Sequence, residues 1–176
     1  MFGVELKIVD DQGRTLPRDG TSQGELLVRG SWIVDTYHRA EASALRAGWF
    51  PTGDIATIDA DGIMQIRDRT KDVIKSGGEW ISSIELENVA SAHPDVAMAA
   101  VIGVQHPTWG ERPLLLIVPR PGTRPDPDAV RAFIATRVVK WWVPERVLVV
   151  EALPVGGTGK VQKNELRRQH AGIFSD

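Results

Sequence analysis

Val4, Leu6 and Ile8 alternate with Glu5, Lys7 and Val9 at a period of two, which predicts a strand, and Asp10 to Gly13 supplies a turn after it. Gly24 to Gly30 reads as a short strand bounded by glycines. Glu41 to Ala47 fits two helical turns before Gly48. Gly53 to Ile58 and Ile63 to Arg67 are strand-like runs joined through Asp59-Ala60-Asp61-Gly62, where the Asp-Gly pair tolerates positive φ and signals a hairpin.

After Asp68 the pattern changes. Asp72-Val73-Ile74 predicts a short strand, followed by the polar, flexible stretch Lys75 to Glu79. Ser82 with Glu85 three residues on fits a capping box, so a helix is expected from about Ser83 to Ala92, stopped by Pro94. Val96 to Val104 is a nearly continuous apolar run, as in a buried strand, and Leu114 to Val118 is another. The prolines between Pro121 and Pro127 mark a loop, and Val130, Phe133, Ile134 and Val138 recur at helical spacing. Arg146 to Val150 reads as a third apolar strand, Pro154 to Gly159 as a glycine-rich loop and Val161 to Ala171 as a terminal helix. Residues 72–176 therefore predict an α+β module around one small core.

Composition narrows the function classes. With 42% hydrophobic and 25% charged residues, the 176-residue chain has ordinary globular usage rather than that of a disordered tail. A net charge of −2 gives no positive field to collect nucleic-acid phosphates. The lack of cysteine excludes disulfide frameworks, thiolate metal sites and cysteine nucleophiles. No apolar run is long enough for a transmembrane helix, and no signal peptide is visible, so a cytoplasmic protein is expected.

Three polar, glycine-rich segments interrupt the apolar strands: Pro51 to Asp54, Arg67 to Trp80, and Val155 to Lys160. Glycines let backbone approach a ligand, a nearby Lys or Arg suits phosphate, and an Asp accepts paired ribose hydroxyls, so these residue types together suit a nucleotide. The third segment is not a phosphate-gripping P-loop. Pro154 stands where that motif needs its first Gly, and Val161 where it needs Ser or Thr.

Thr52-Gly53-Asp54, then Asp68 to Glu79, then Gly156-Gly157-Thr158-Gly159-Lys160 resemble three ordered motifs of the adenylate-forming acyl-CoA synthetases. Gly24-Glu25-Leu26 with Gly30 and Tyr37 resembles a weaker one. Trp80-Ile81-Ser82-Ser83, His93-Pro94, His106-Pro107 and Glu111-Arg112-Pro113 resemble the branch that activates medium- and long-chain fatty acids. The family's Ser/Thr/Gly-rich triphosphate loop and its Tyr-Gly-x-Thr-Glu motif are absent, so the resemblance is to the last third of such an enzyme. It implies a β-rich (distorted barrel) remnant of the large N-terminal domain at residues 1–70. A hinge at Lys71 and a mobile α+β C-terminal domain at residues 72–176 follow.

By that resemblance, ATP and a fatty acid or related carboxylic acid give an acyl-adenylate and pyrophosphate, and coenzyme A then displaces AMP. The resemblance assigns Lys160 as the catalytic cation, Thr52, Asp54 and Arg69 as the ATP/AMP contacts, and Gly77, Gly78, Glu79 and Trp80 as the coenzyme A passage. Trp80 reads equally as a tunnel wall or as core packing. Mg2+ is expected to arrive with ATP and to be bound mainly by the N-terminal domain. Lys163, Arg167 and Arg168 read either as contacts for coenzyme A phosphates or as one solvated helix face. The chain alone is expected to be inactive. Two other readings stay open: a non-catalytic module that binds AMP, coenzyme A or an acyl carrier, and an oligomer formed through exposed strands. Peripheral association with a membrane is compatible with this reading.

Overall fold

Contacts divide the chain between Lys71 and Asp72 into two units. The computed structural model describes residues 3–39 and 42–175. Met1 and Phe2, and Glu41 at the start of the helix expected before Gly48, lie outside them.

The first unit is an antiparallel sheet of β1 (Val4–Val9), β2 (Gly24–Gly30), β3 (Phe50–Ile58) and β4 (Met64–Arg69), neighbours in chain order. The period-two pattern buries Ile8, Leu26, Val28, Ala56 and Ile58 in one cluster. The β3–β4 hairpin forms as its Asp-Gly pair predicts. Asp59 Oδ1 accepts from the amides of Asp61 and Ile63 at 3.0 and 2.8 Å, and Gly62 takes φ +81°. Among the described residues this sheet is open, a β-rich remnant and no closed barrel. Residues 42–47 are not helical either. Ser43 Oγ bonds Asp35 Oδ1 at 2.7 Å, and Ala47 and Gly48 both take positive φ in a turn closed by Arg46 and Trp49. The segment has no apolar stripe to reward a helix against this turn.

The second unit mixes strands and helices around two apolar clusters. Its strands are β5 (Ile74–Ser76), β6 (Glu79–Ile81), β7 (Val96–His106), β8 (Gly110–Pro119) and β9 (Arg146–Val149). The order is β6-β5-β8-β7, with β9 running parallel to β8. β7 pairs with β8 along almost its whole length. Ile74, Ile81, Val101, Leu115 and Ile117 pack with α1 (Ser83–Ser91) and α2 (Pro127–Ala135) in one cluster. Ala100, Ile102, Leu114 and Leu116 point into the other, under α3 (Lys163–Gln169). Alternate residues of β7 and β8 thus feed alternate layers, which is why both strands read as unbroken apolar runs.

Capping follows the sequence signals. Ser82 Oγ accepts the Glu85 amide at 3.2 Å to start α1, and Asp126 Oδ1 accepts the Asp128 amide at 3.1 Å to start α2 behind Pro127. The strand expected at Asp72 begins only at Ile74. Lys75 and Ser76, expected in a flexible stretch, belong to it. The terminal helix is confined to Lys163–Gln169, where no side chain caps the start.

Candidate active-site segments

In the first unit, β3 bulges. Glu25 pairs with Ile55 and Leu27 with Pro51, so three residues of β3, Thr52 to Asp54, stand opposite the single Leu26 of β2. Gly53 makes the bulge with φ +76°. Thr52 Oγ1 donates to Leu26 O at 3.1 Å and accepts the Asp54 amide at 3.2 Å, pinning the bulge to β2. Gly53 O accepts the Thr70 amide at 2.9 Å, which holds the end of β4 against it. Asp54 and Arg69 are paired residues of β3 and β4, with Asp54 Oδ1 3.1 Å from Arg69 Nε. Asp54 is partly buried and Arg69 mostly exposed. The fold therefore gathers Thr52, Asp54 and Arg69 at one place and presents a carboxylate and a guanidinium side by side.

Lys71 is exposed in the turn at the boundary between the units. Just beyond it, Arg167 of α3 pairs with Asp72 at 2.8 Å.

In the second unit, β5 and β6 form a hairpin whose turn is Gly77-Gly78, with φ +59° and +89°. Two consecutive positive φ values twist the strands as a two-residue hairpin requires. The Gly77 amide donates to Trp109 O at 2.8 Å, and a Cβ on Gly77 would sit 3.1 Å from the Trp109 ring. Glu79 is exposed at the start of β6. Trp80 is half-buried opposite Lys75, whose Nζ lies 5.1 Å from its ring, and it stands outside the apolar clusters. Beside this hairpin opens a cleft of about 410 Å3 lined by Gly77, Glu79, Arg112 and two half-exposed indoles, Trp109 and Trp141. The side chain of Arg112 is held by Ser76 Oγ, the carbonyls of Trp141 and Val143, and Glu145, so its charge is compensated inside the protein. Spacing gave no sign that Trp141 joins Trp109 and Arg112, since it comes from a 3-10 turn about thirty residues further on, whereas Trp109 stands in the β7–β8 turn and Arg112 on β8.

Lys160 stands on a different loop of the same unit. Val155 and Val161 bridge its ends. The Gly156 amide donates to Lys160 O at 2.8 Å, and the Gly159 amide to Gly156 O at 2.9 Å. Gly159 takes φ +76°, which closes the turn just before the lysine. Lys160 is exposed and forms no ion pair with a described residue, so its ammonium is available to an anion. The basic residues after it are already engaged. Lys163 Nζ donates to Ser83 Oγ at 2.8 Å and meets Glu87 Oε1 at 2.7 Å, Arg167 pairs with Asp72, and Arg168 with Glu165. Lys163 and Arg167 therefore anchor α3 rather than forming a solvated face. Among the described residues no group of three or more His, Asp or Glu is placed to hold a metal ion, and no helix is long and apolar enough to cross a membrane.

Residues 85–160 match the family described as AMP-binding enzyme C-terminal domain. The 3-methylmercaptopropionyl-CoA ligase of Ruegeria pomeroyi is 57% identical over 175 residues, 99% of this chain and 32% of that protein. The medium-chain-fatty-acid–CoA ligase of Ectopseudomonas oleovorans is 51% identical over 98% of this chain and 32% of its own length. The crystal structure of ATP-bound MatB from Rhodopseudomonas palustris superposes with a TM-score of 0.83 at 33% identity, over 98% of this chain and 35% of that one. The chain thus spans about a third of the length of the relatives it matches. Motif order, fold and these likenesses agree: the chain belongs to the adenylate-forming acyl-CoA synthetases and corresponds to their C-terminal part.

Proposed function

We propose that the chain is the C-terminal part of an acyl-CoA ligase and supplies Lys160, the ribose contacts and the hinge to an active site completed by a large N-terminal domain. In the first step a carboxylate oxygen attacks the α-phosphorus of ATP and pyrophosphate leaves. Charge gathers on the α-phosphate oxygens, and a cation placed there lowers the barrier. Lys160 is that cation. Asp54 accepts the ribose hydroxyls and Arg69 steadies both Asp54 and the ribose, with Thr52 holding the bulge beneath them. In the second step the sulfur of coenzyme A attacks the acyl carbon, the bond to the AMP oxygen breaks, and AMP leaves. Rotation about Lys71 withdraws Lys160 and brings in the Gly77-Gly78 turn, where missing side chains leave a passage for the pantetheine arm beside Glu79 and Trp80. Mg2+ enters with ATP and is held mainly by the large domain.

The observation that carries this reading is the exposed Lys160 at the end of a closed glycine turn, with no described carboxylate paired to it. The identity to ligases of 3-methylmercaptopropionate and of medium-chain fatty acids supports a small or medium-length aliphatic acid as substrate. Exposed Met64 and Ile66 on β4 are apolar surface that the remainder of the large domain would cover, which favours that partner over self-association. The reading places the enzyme in the cytoplasm. The test compares the full-length protein with this chain alone. The full-length protein is expected to form AMP from ATP only when both a carboxylic acid and coenzyme A are present, and the chain alone to form none. Thioester formation by the isolated chain overturns the shared-site reading. Tight binding of AMP or coenzyme A by a catalytically silent full-length protein favours a binding module instead.

A further inference from the structure

The pairing between β5 and β8 is short. Its one residue pair is Ser76 with Gly110; the Gly77 amide adds a bond to Trp109 O on the turn side, and the Lys75 amide lies one position away on the other side. That amide instead donates to a side chain, Glu111 Oε2, at 3.0 Å across 36 residues of sequence. The same carboxylate rests against Gly103 of β7. A Cβ built on Gly103 would come within 2.8 Å of Glu111 Oε2 and 3.0 Å of its carboxyl carbon. Gly103 is buried and has no positive φ, so its backbone does not require glycine. Its missing side chain makes the space in which the Glu111 carboxylate sits. The next residue of β8, Arg112, holds Ser76 through its hydroxyl at 3.2 Å. Two consecutive residues of β8 thus grip the three-residue strand that leads into the Gly77-Gly78 turn.

We propose that Glu111 is a positioning residue for the thioester-forming step: seated over Gly103, it holds the Lys75 amide and so fixes the turn that admits the coenzyme A thiol. This rests on the ligase reading above. A hairpin of two three-residue strands has little ladder of its own to resist displacement. A charge-assisted bond from a carboxylate to a main-chain amide is strong for its size. Lys160 lies on another loop, so loss of this bond leaves the adenylation machinery alone.

The experiment uses the full-length ligase that carries this chain, as wild type, Glu111→Ala, Glu111→Gln and Gly103→Ala. Acyl-adenylate formation is followed without coenzyme A, and conversion of preformed acyl-adenylate to thioester is followed separately in single turnover. Glu111→Ala is expected to slow the thioester step by about 10- to 100-fold, as misplacement of a reacting group does, with adenylation unchanged. Glu111→Gln, which keeps an oxygen for the Lys75 amide but loses the charge, is expected to fall between wild type and Glu111→Ala. Gly103→Ala is expected to reproduce the Glu111→Ala defect, because the three atoms nearest its new methyl all belong to the Glu111 carboxyl group, which it displaces. Hydrogen exchange is expected to speed up at Lys75 in both alanine variants and to stay unchanged in β7. An unaffected thioester step in Glu111→Ala overturns the proposal. So does an equal fall in both steps, or a Gln variant as impaired as the Ala variant. A wild-type enzyme unable to make acyl-adenylate at all overturns the ligase reading itself, and this proposal with it.

Discussion

Asp54 and Arg69, fifteen positions apart in the chain, are directly paired across β3 and β4, with Asp54 Oδ1 3.1 Å from Arg69 Nε beside the Gly53 bulge. Arg69 is 57% exposed, so solvent screens the pair and its contribution to folding is only about 0–1 kcal/mol.

Asp54→Ala in the full-length enzyme is therefore expected to leave the melting temperature nearly unchanged. The KM for ATP should rise by about 10- to 100-fold, matching the 1.5–3 kcal/mol of a hydrogen bond to a charged group. Steady-state kinetics beside a thermal melt decides it. A large fall in melting temperature with an unchanged KM assigns Asp54 to the fold instead.

Gly77→Ala forces a side chain into φ +59° and sets its Cβ 3.1 Å from the Trp109 ring. The backbone strain alone costs roughly 1–2 kcal/mol. Denaturant unfolding of this chain is expected to show that loss, and the full-length enzyme a raised KM for coenzyme A. Gly157→Ala, where φ is not positive and nothing lies within 4 Å, is the control and is expected to leave stability unchanged.

Much of this architecture was legible in the chain. The strand Gly24–Gly30, the Asp-Gly hairpin and the Ser82 cap each follow from local chemistry and formed as that chemistry predicts. The apolar run from Val96 is a buried strand because both its faces are covered. Local patterns failed where tertiary contacts decide. The turn at Arg46 to Trp49 replaces the expected helix. Lys75 and Ser76, polar enough to read as loop, are strand because β8 grips them. Thr52, Asp54 and Arg69 were legible as motif members, but their meeting at a bulge needed the register of three strands. The bond from Glu111 to Lys75 had no signal at all in spacing.

Acid is expected to weaken the first unit. Amides of Ser22 and Thr21 and the Ser22 hydroxyl donate to Asp19, holding its carboxyl far below the usual range. The Arg14 amide and guanidinium and the Gln12 amide do the same more mildly for Asp10. A carboxyl with a lowered folded pKa contributes stability above its unfolded pKa of about 4, and that stability is lost as pH falls toward the folded value. Thermal melts are expected to be flat above about pH 5 and to decline below about pH 4. Asp19→Asn should reduce the decline, and an undiminished decline in that variant contradicts the assignment.

Lys163 is largely buried between Ser83 Oγ and Glu87 Oε1 and ties α3 to α1. Lys163→Ala removes the hydrogen bond to Ser83 Oγ and the ion pair with Glu87 that join the two helices. It is expected to destabilise the second unit by about 1–3 kcal/mol in denaturant titration. Arg168→Ala, on an exposed neighbour paired within its own helix, is expected to cost almost nothing.

The most direct measurement separates the two half-reactions in the full-length enzyme carrying Lys160→Ala. Acyl-adenylate formation is predicted to fall about 100- to 1,000-fold, the scale of a lost charge-stabilising contact, while supplied acyl-adenylate still passes to coenzyme A at close to the wild-type rate. Undiminished adenylation, or an equal loss in both steps, contradicts the account.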